Sequence, residues 1–271
     1  MSRPIVDTRF LFRPLTRSIV ELERQLTPLD WMRPTLAGRW VVRDVAAHLL
    51  DTALRRLSFQ RDKHQPPPPP AMSDDLTALI NALNADWVDA SARLSPRVIT
   101  DLYASVSSDL SDFFESLPID APALFPVSWA GDQSDGWLDT GREFTEVWHH
   151  GAQIREAVDV GPFPDPAWLR AVLLISMQAL PHSYRDVPAR PGQTVAIIVT
   201  GPAGGRWVLC RGDERWRIDE GEESKPDARI AMSDETAWRL LFNALARSDA
   251  ELPLVEGELA RPLLRARSVI V

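Results

Sequence analysis

Apolar residues recur at three- and four-residue intervals through the first half of the chain, then give way to short alternating runs in the second. The first pattern is that of helices burying one face, the second that of strands. Phe12 to Leu26 predicts a helix. A longer one is predicted from about Val42 to Arg61, with Val42, Val45, Ala46, Leu49, Ala53, Leu54 and Leu57 on its inner face. The proline run Pro66–Pro70 ends it, because proline lacks a backbone donor and clashes with the preceding turn, and reads as an inter-helix linker. Leu76 to Leu94 and Val98 to Leu117 predict two further amphipathic helices, followed by a Pro-, Gly- and Asp-rich loop over Pro118 to Gly136. A helix is then predicted from about Trp137 to Val158, closed by Gly161, Pro162 and Pro164. Short links between helices of this length favour an antiparallel bundle.

Beyond Pro164 one more helix is predicted over Ala167 to Leu180, and the period changes. Val195–Thr200, Trp207–Cys210, Arg215–Ile218 and Ala228–Ala231 read as strands, with a Gly-Pro-Ala-Gly-Gly hairpin turn at Gly201–Gly205 and a second turn at Arg211-Gly-Asp. Thr236 to Ala246 and Glu258 to Ala266 return to helical spacing. The expected organisation is a helical domain over residues 1–160 followed by a small α+β domain over 161–271, an α+β protein as a whole.

Hydrophobic residues at 45 % and charged residues at 25 % match a globular chain with a packed core, not a disordered one. A net charge of −8 with dispersed arginines argues against a nucleic-acid surface, which needs a concentrated basic patch. One cysteine, Cys210, excludes an internal disulfide framework and all-cysteine zinc sites, and its place in a strand makes it a small buried hydrophobe. The start has no apolar signal-peptide core, and the most apolar stretch, Ala167 to Leu180, contains Arg170 and is too short to span a bilayer. A cytoplasmic protein without a membrane partner is expected.

Three residues stand out as candidate metal ligands. His48 sits within a helix beside its apolar stripe, where a histidine serves equally well as a satisfied core residue. Glu146 and His150 are four apart, which puts both side chains on one helical face, close enough to grip one cation. Glu143, Glu146, His150 and Gln153 together also read as an ordinary solvated stripe. Phe144, Trp148 and Gly151 lie roughly opposite, so either a surface helix buries the aromatic side and wets the polar one, or the aromatic side packs against the second domain and leaves the carboxylate and imidazole in a pocket; both patterns fit the sequence. No His-Glu-x-x-His, glycine-rich phosphate loop or Gly-x-Ser-x-Gly elbow is present. His64 and His182 read as loop residues.

Gly38-Arg-Trp-Val-Val-Arg-Asp-Val-Ala-Ala-His-Leu49 resembles the Gly-x-Trp-x-Val-x-Asp-x-x-x-His-Leu signature of the DinB-like superfamily. Glu146-Val-Trp-His-His-Gly-Ala-Gln-Ile-Arg-Glu-Ala157 resembles the second signature of its mycothiol-dependent maleylpyruvate isomerase branch. Gly-Gly-Arg-Trp, Pro-Asp-Ala-Arg-Ile, Trp-Arg-Leu-Leu and Glu-Gly-Glu-Leu-Ala resemble that branch's sterol-carrier-like C-terminal domain. The resemblance implies a DinB-like antiparallel bundle with metal ligands at His48, Glu146 and His150. His149 competes for the last place, since Glu-x-x-His also suits a metal; His150 keeps register with Ile154-Arg155. Two imidazoles and a carboxylate suit zinc and leave a position for water or substrate. Gln153 stands where the family usually has aspartate, and Val41 where Ser or Thr is common, so that Asp44 is expected to help cap the helix of His48.

The implied function is metal-dependent chemistry of a low-molecular-weight thiol, mycothiol or another, giving isomerisation or S-transfer on a small electrophilic substrate. Arg261 and Arg265 are candidates for orienting that substrate. The rival readings are a metal-dependent hydrolase and a non-catalytic ligand-binding or regulatory protein.

Overall fold

A computed structural model describes residues 5–65, 76–124, 127, 135–245 and 250–268. The proline run Pro66–Pro70 and most of the loop's 125–134 stretch lie outside the described residues. The chain is α+β, as its patterning implies: eight α-helices and one five-stranded sheet among the described residues. It divides into two compact units. One comprises Asp7–Leu124 with Glu146–Phe163, and the other is built mainly on Pro164–Val271 with Phe125–Thr145.

In the helical unit, α1 (Phe12–Glu23), α2 (Val42–Arg56), α3 (Leu76–Ser91) and α4 (Pro96–Ser116) follow the apolar periods. α4 packs against both α1 and α2, and α3 against α2. The α2 stripe of Val42, Val45, Ala46, Leu49 and Ala53 is buried as expected, along with Leu50. Leu54 is the exception at 37 % exposure, because it sits on the flank of the stripe, about 100° round the helix from Ala53. α2 continues through a π-helical turn, Leu57–Arg61, which carries the helix to the end its sequence predicts. Ser95 caps α4 by accepting a hydrogen bond from the Val98 N–H, with Pro96 in the first helical position. α5 (Gly136–Ala157) contributes its second half to this unit.

The N-terminus of α2 fixes the direction of His48. Val41 is its N-cap residue in extended conformation, and valine offers no acceptor to the first turn. Only the return half of a capping box forms: the Asp44 carboxylate accepts the Val41 N–H at 3.1 Å. Val41→Thr keeps the shape and adds the missing acceptor, so it is expected to stabilise by about 0.5–1 kcal/mol. A raised midpoint in thermal unfolding, with unchanged metal content, checks this; a lowered one means that packing of the half-buried Val41 dominates.

The other unit carries α6 (Pro166–Met177), the short α7 (Leu180–Ser183) and α8 (Asp234–Leu241) with the sheet. His182 therefore lies in a helical turn, not a loop, because Ala179–Ser183 close one helical hydrogen bond after Pro181. The strands are β1 (Thr194–Thr200), β2 (Gly205–Arg211), β3 (Trp216–Glu220), β4 (Ala228–Ser233) and β5 (Leu254–Glu256), in the order β3-β2-β1-β4-β5. Only the β1–β4 pair is parallel. Gly201 turns β1 into β2 at φ +105°, with the Asp234 carboxylate filling the space where a side chain would stand. Cys210 in β2 is half-buried rather than fully enclosed. The C-terminal helical pattern is a 3₁₀ helix, Glu258–Arg265, whose Pro262 removes an α-helical donor. No described helix is long and apolar enough to cross a membrane.

Candidate metal centre

α2 and α5 bring His48, Glu146 and His150 together although the first is almost a hundred residues away in sequence. His48 Nε2 lies 3.4 Å from Glu146 Oε1, and His150 Nε2 lies 3.2 Å from the same oxygen. One ligand-capable atom from each of the three falls within 4.8 Å of the others. His150 completes an i, i+4 pair with Glu146 on one face of α5. Gly151, next in α5, lets the helix approach α1 closely: a Cβ there would come within 2.8 Å of Ile19 Cδ1 and 2.7 Å of Phe163 Cζ.

The stripe of Glu143, Glu146, His150 and Gln153 is not a solvated exterior face. His150 and Gln153 are buried, as is the neighbouring His149, the Glu143 side chain is mostly covered, and Glu146 is the most open member, at 29 %. Phe144 and Trp148, on the other side, are buried too, Trp148 with its ring 6.0 Å from that of Phe163. Both faces of α5 are thus enclosed, which a surface helix would not need.

Gln153 organises the imidazoles. Its Oε1 is 2.8 Å from His150 Nδ1, and its Nε2 is 3.1 Å from His149 Nε2. With the amide oxygen accepting from Nδ1–H of His150, the nitrogen left to face Glu146 is Nε2, a donor to the carboxylate when the ring is protonated and a free ligand atom when it is not. The same amide donates to His149 Nε2, which occupies that nitrogen and leaves His149 outside the cluster of three. Sequence alone flagged Gln153 as a departure near His150, but not its grip on both histidines. The i+3 and i+4 spacing back to His150 and His149 was the signal for it. The Trp40 ring packs 5.1 Å from that of His48, and the His150 ring meets His48 edge-on at 4.7 Å. The Trp40 of the sequence signature thus walls the site.

The electrostatics suit a cation. Burial pushes the Glu146 carboxyl up, but the charge and hydrogen bonds of His150 and His48 outweigh it and hold the carboxyl well below the usual range. Burial also lowers His48, against the opposing pull of Glu146. His150 is raised: burial acts downward, but attraction to Glu146 and its hydrogen bonds overcome it. The group is therefore one fixed anion with two imidazoles turned toward it.

The donor set and spacing fit a divalent metal. Charge-assisted N–H···O bonds run about 2.7–2.9 Å, so separations of 3.2 and 3.4 Å are long for a pure ion-pair network. Ligand atoms about 2.0–2.1 Å from a tetrahedral zinc lie roughly 3.3 Å apart. His48 Nδ1 is buried without a partner, so the one productive direction of that ring is through Nε2 toward Glu146.

Comparison with known proteins gives a consistent placement. Residues 12–155 match the family model described as the mycothiol maleylpyruvate isomerase N-terminal domain. No functionally curated protein matches the chain. Two crystal structures of mycothiol-dependent maleylpyruvate isomerase, one of a histidine-to-alanine mutant, share the fold. Each superposes at a TM-score of 0.54 with 13 % identity, covering 90 % of this chain and 91 % of the other.

Proposed function

The chain belongs to the mycothiol maleylpyruvate isomerase N-terminal domain family, and from that premise we propose that it is a metal-dependent enzyme of low-molecular-weight thiol chemistry. Its reaction class is isomerisation or S-transfer on a small electrophilic substrate, with mycothiol or a similar thiol as co-reactant. The observation that carries this reading is the convergence of His48, Glu146 and His150 on one point beside Gln153.

His48 and His150 offer neutral ring nitrogens and Glu146 the compensating negative charge, a borderline-hard set suited to zinc. A divalent ion held there supplies Lewis-acid stabilisation of a thiolate at neutral pH. Gln153 keeps His150 in the tautomer that presents Nε2 and stops it turning away. Trp40 and the edge-on His150 ring fix the plane of His48. The partly exposed Glu146 marks the side from which a small molecule reaches the cluster. No arginine is assigned to the substrate: Arg261 is held by Glu258 at 2.9 Å on its own 3₁₀ helix.

The test is elemental analysis of the purified protein, followed by turnover of small electrophiles with and without added mycothiol, glutathione or cysteine. Metal near one equivalent and turnover that requires a thiol support the reading. Thiol-independent hydrolysis by the same metal-loaded protein overturns the thiol chemistry but not the site.

Gln153 gives a separate check. Gln153→Leu leaves the Nδ1–H of the buried His150 without an acceptor and frees the ring to rotate. Metal affinity is expected to fall ten- to a hundredfold, as for loss of other groups that orient metal-bound histidines. Gln153→Glu keeps the reach of the side chain, puts a stronger acceptor at the same place and should bind metal at least as tightly as the natural protein. Competition against a chromogenic chelator measures both.

A further inference from the structure

Of the side chains placed at the metal centre, His48, His149, His150 and Gln153 are buried, while Trp40 and Glu146 keep part of their surface in water. Whatever reaches the cluster from solvent meets these two.

Trp40 is held there by a tight turn ahead of α2. Its backbone N–H donates to the Ala37 carbonyl at 3.1 Å, and its carbonyl accepts both the N–H and the hydroxyl of Thr35, at 3.0 and 2.8 Å. A bridge between Pro34 and Val41 closes the same turn, and the Val42 N–H donates to the Arg33 carbonyl at 3.0 Å. Gly38 makes the reversal at φ +65°, a conformation that a side chain would strain. The indole is thus fixed before any ligand arrives, with its ring centre 5.1 Å from that of His48 and the two planes 44° apart.

Contact with His48 uses only part of this ring. The Trp40 indole N–H is neither buried nor bonded within the described residues. By contrast, the indole N–H of Trp87 on α3 donates to the Ala47 carbonyl at 2.8 Å, next to His48 in the chain. A rigid, half-covered indole with an open donor suits recognition, since it offers a broad apolar face at small entropic cost and one polar tip.

We propose that Trp40 contacts the thiol that enters the cluster and sets the preference for it: the indole face packs on the carbon skeleton, and the N–H donates to a carbonyl oxygen a few bonds from the sulfur. This rests on the thiol-enzyme reading and adds to it the residue that selects among thiols.

Titration of the cobalt-substituted full chain tests the proposal, because thiolate-to-cobalt charge-transfer absorbance reports thiol binding without turnover. The probes are N-acetylcysteine and its methylamide, with 2-mercaptoethanol and 1-propanethiol as thiols that lack the carbonyl. The natural protein should favour the first pair by about fivefold, the worth of one hydrogen bond. Trp40→Phe keeps a ring beside His48 and removes the N–H. It should erase that preference while cobalt affinity, read by competition with a chromogenic chelator, stays within threefold. Trp40→Leu also removes the flat face and should weaken all four thiols severalfold. A preference undiminished in Trp40→Phe overturns the proposal. So does a fall in cobalt affinity that weakens every thiol in equal proportion, since Trp40 would then act only by orienting His48. No cobalt uptake, or no charge-transfer band with any thiol, defeats the thiol-enzyme reading itself and this proposal with it.

Discussion

On the proposed reading, alanine at His48 or at His150 is expected to abolish the retention of stoichiometric divalent metal through purification, and thiol-dependent turnover with it. Zinc sites in small domains are worth about 10–16 kcal/mol over four ligands, or roughly 2.5–4 kcal/mol for each, about sixty- to several-hundredfold in affinity. A site with only three protein ligands has less to spare, so the loss of one takes it below what survives purification. Glu146→Gln should do the same while leaving shape intact, because it removes the one negative charge facing both imidazoles. His149→Ala is the control. Its Nε2 is already engaged by Gln153, and it lies outside the cluster, so metal content should hold near the natural level. Both His48 and His150 are buried, so each variant also creates a cavity. Circular dichroism and the unfolding midpoint of the metal-free proteins separate loss of metal from loss of fold. Metal retained in His48→Ala but lost in His149→Ala would mean that α5 alone carries the ligands.

The helices of the bundle were legible because their apolar periods are long and their ends are chemically marked. Pro96 after Ser95 starts α4, and the stripe of α2 runs unbroken for four turns. The two signatures around His48 and Glu146 lie on the helices that bring these side chains together, since motif spacing within a helix maps directly onto its faces. What the sequence left open depends on neighbours. The Glu146-His150 stripe looks the same whether it faces water or an interior, and only the burial of His149, His150 and Gln153 distinguishes these. The short β5 carries too few residues for an alternation to register, and it forms because Arg229–Ala231 of β4 offers it an edge. The 3₁₀ helix at Glu258–Arg265 keeps an apolar spacing close to that of an α-helix, so pattern alone does not separate the two. Glu23 was visible only as a carboxylate at the end of an apolar stripe, a position where surface helices often end in charge.

Glu23→Gln is expected to make the protein more stable at pH 8 by roughly 3 kcal/mol, an advantage that should vanish at pH 4. The carboxyl titrates near its ordinary value of 4.5 when the chain is unfolded and at about 7 in the folded protein, chiefly because burial penalises its charge. The folded state therefore holds the proton more tightly than the unfolded state. Below pH 4.5 both states are protonated and Glu23 exacts no ionisation penalty. As pH rises from 4.5 to about 7 the unfolded chain releases the proton first, and stability falls until the folded carboxyl ionises too. The interval corresponds to roughly 3 kcal/mol. The Thr100 hydroxyl on α4 pulls the carboxyl down by hydrogen bonding, as does the charge of Arg24, just past the end of α1. Arg97 and Asp101 on α4 lie nearby, and Trp31 there is uncharged. None of these offsets burial. Other carboxylates titrate over the same range, so the quantity to measure is the difference in urea-unfolding free energy between the two proteins at each pH, in ligand-free buffer. A difference that grows from pH 4 to pH 8 is the signature of a buried Glu23 that ionises in the folded protein. A flat difference means that the carboxyl is solvated or fully paired in solution.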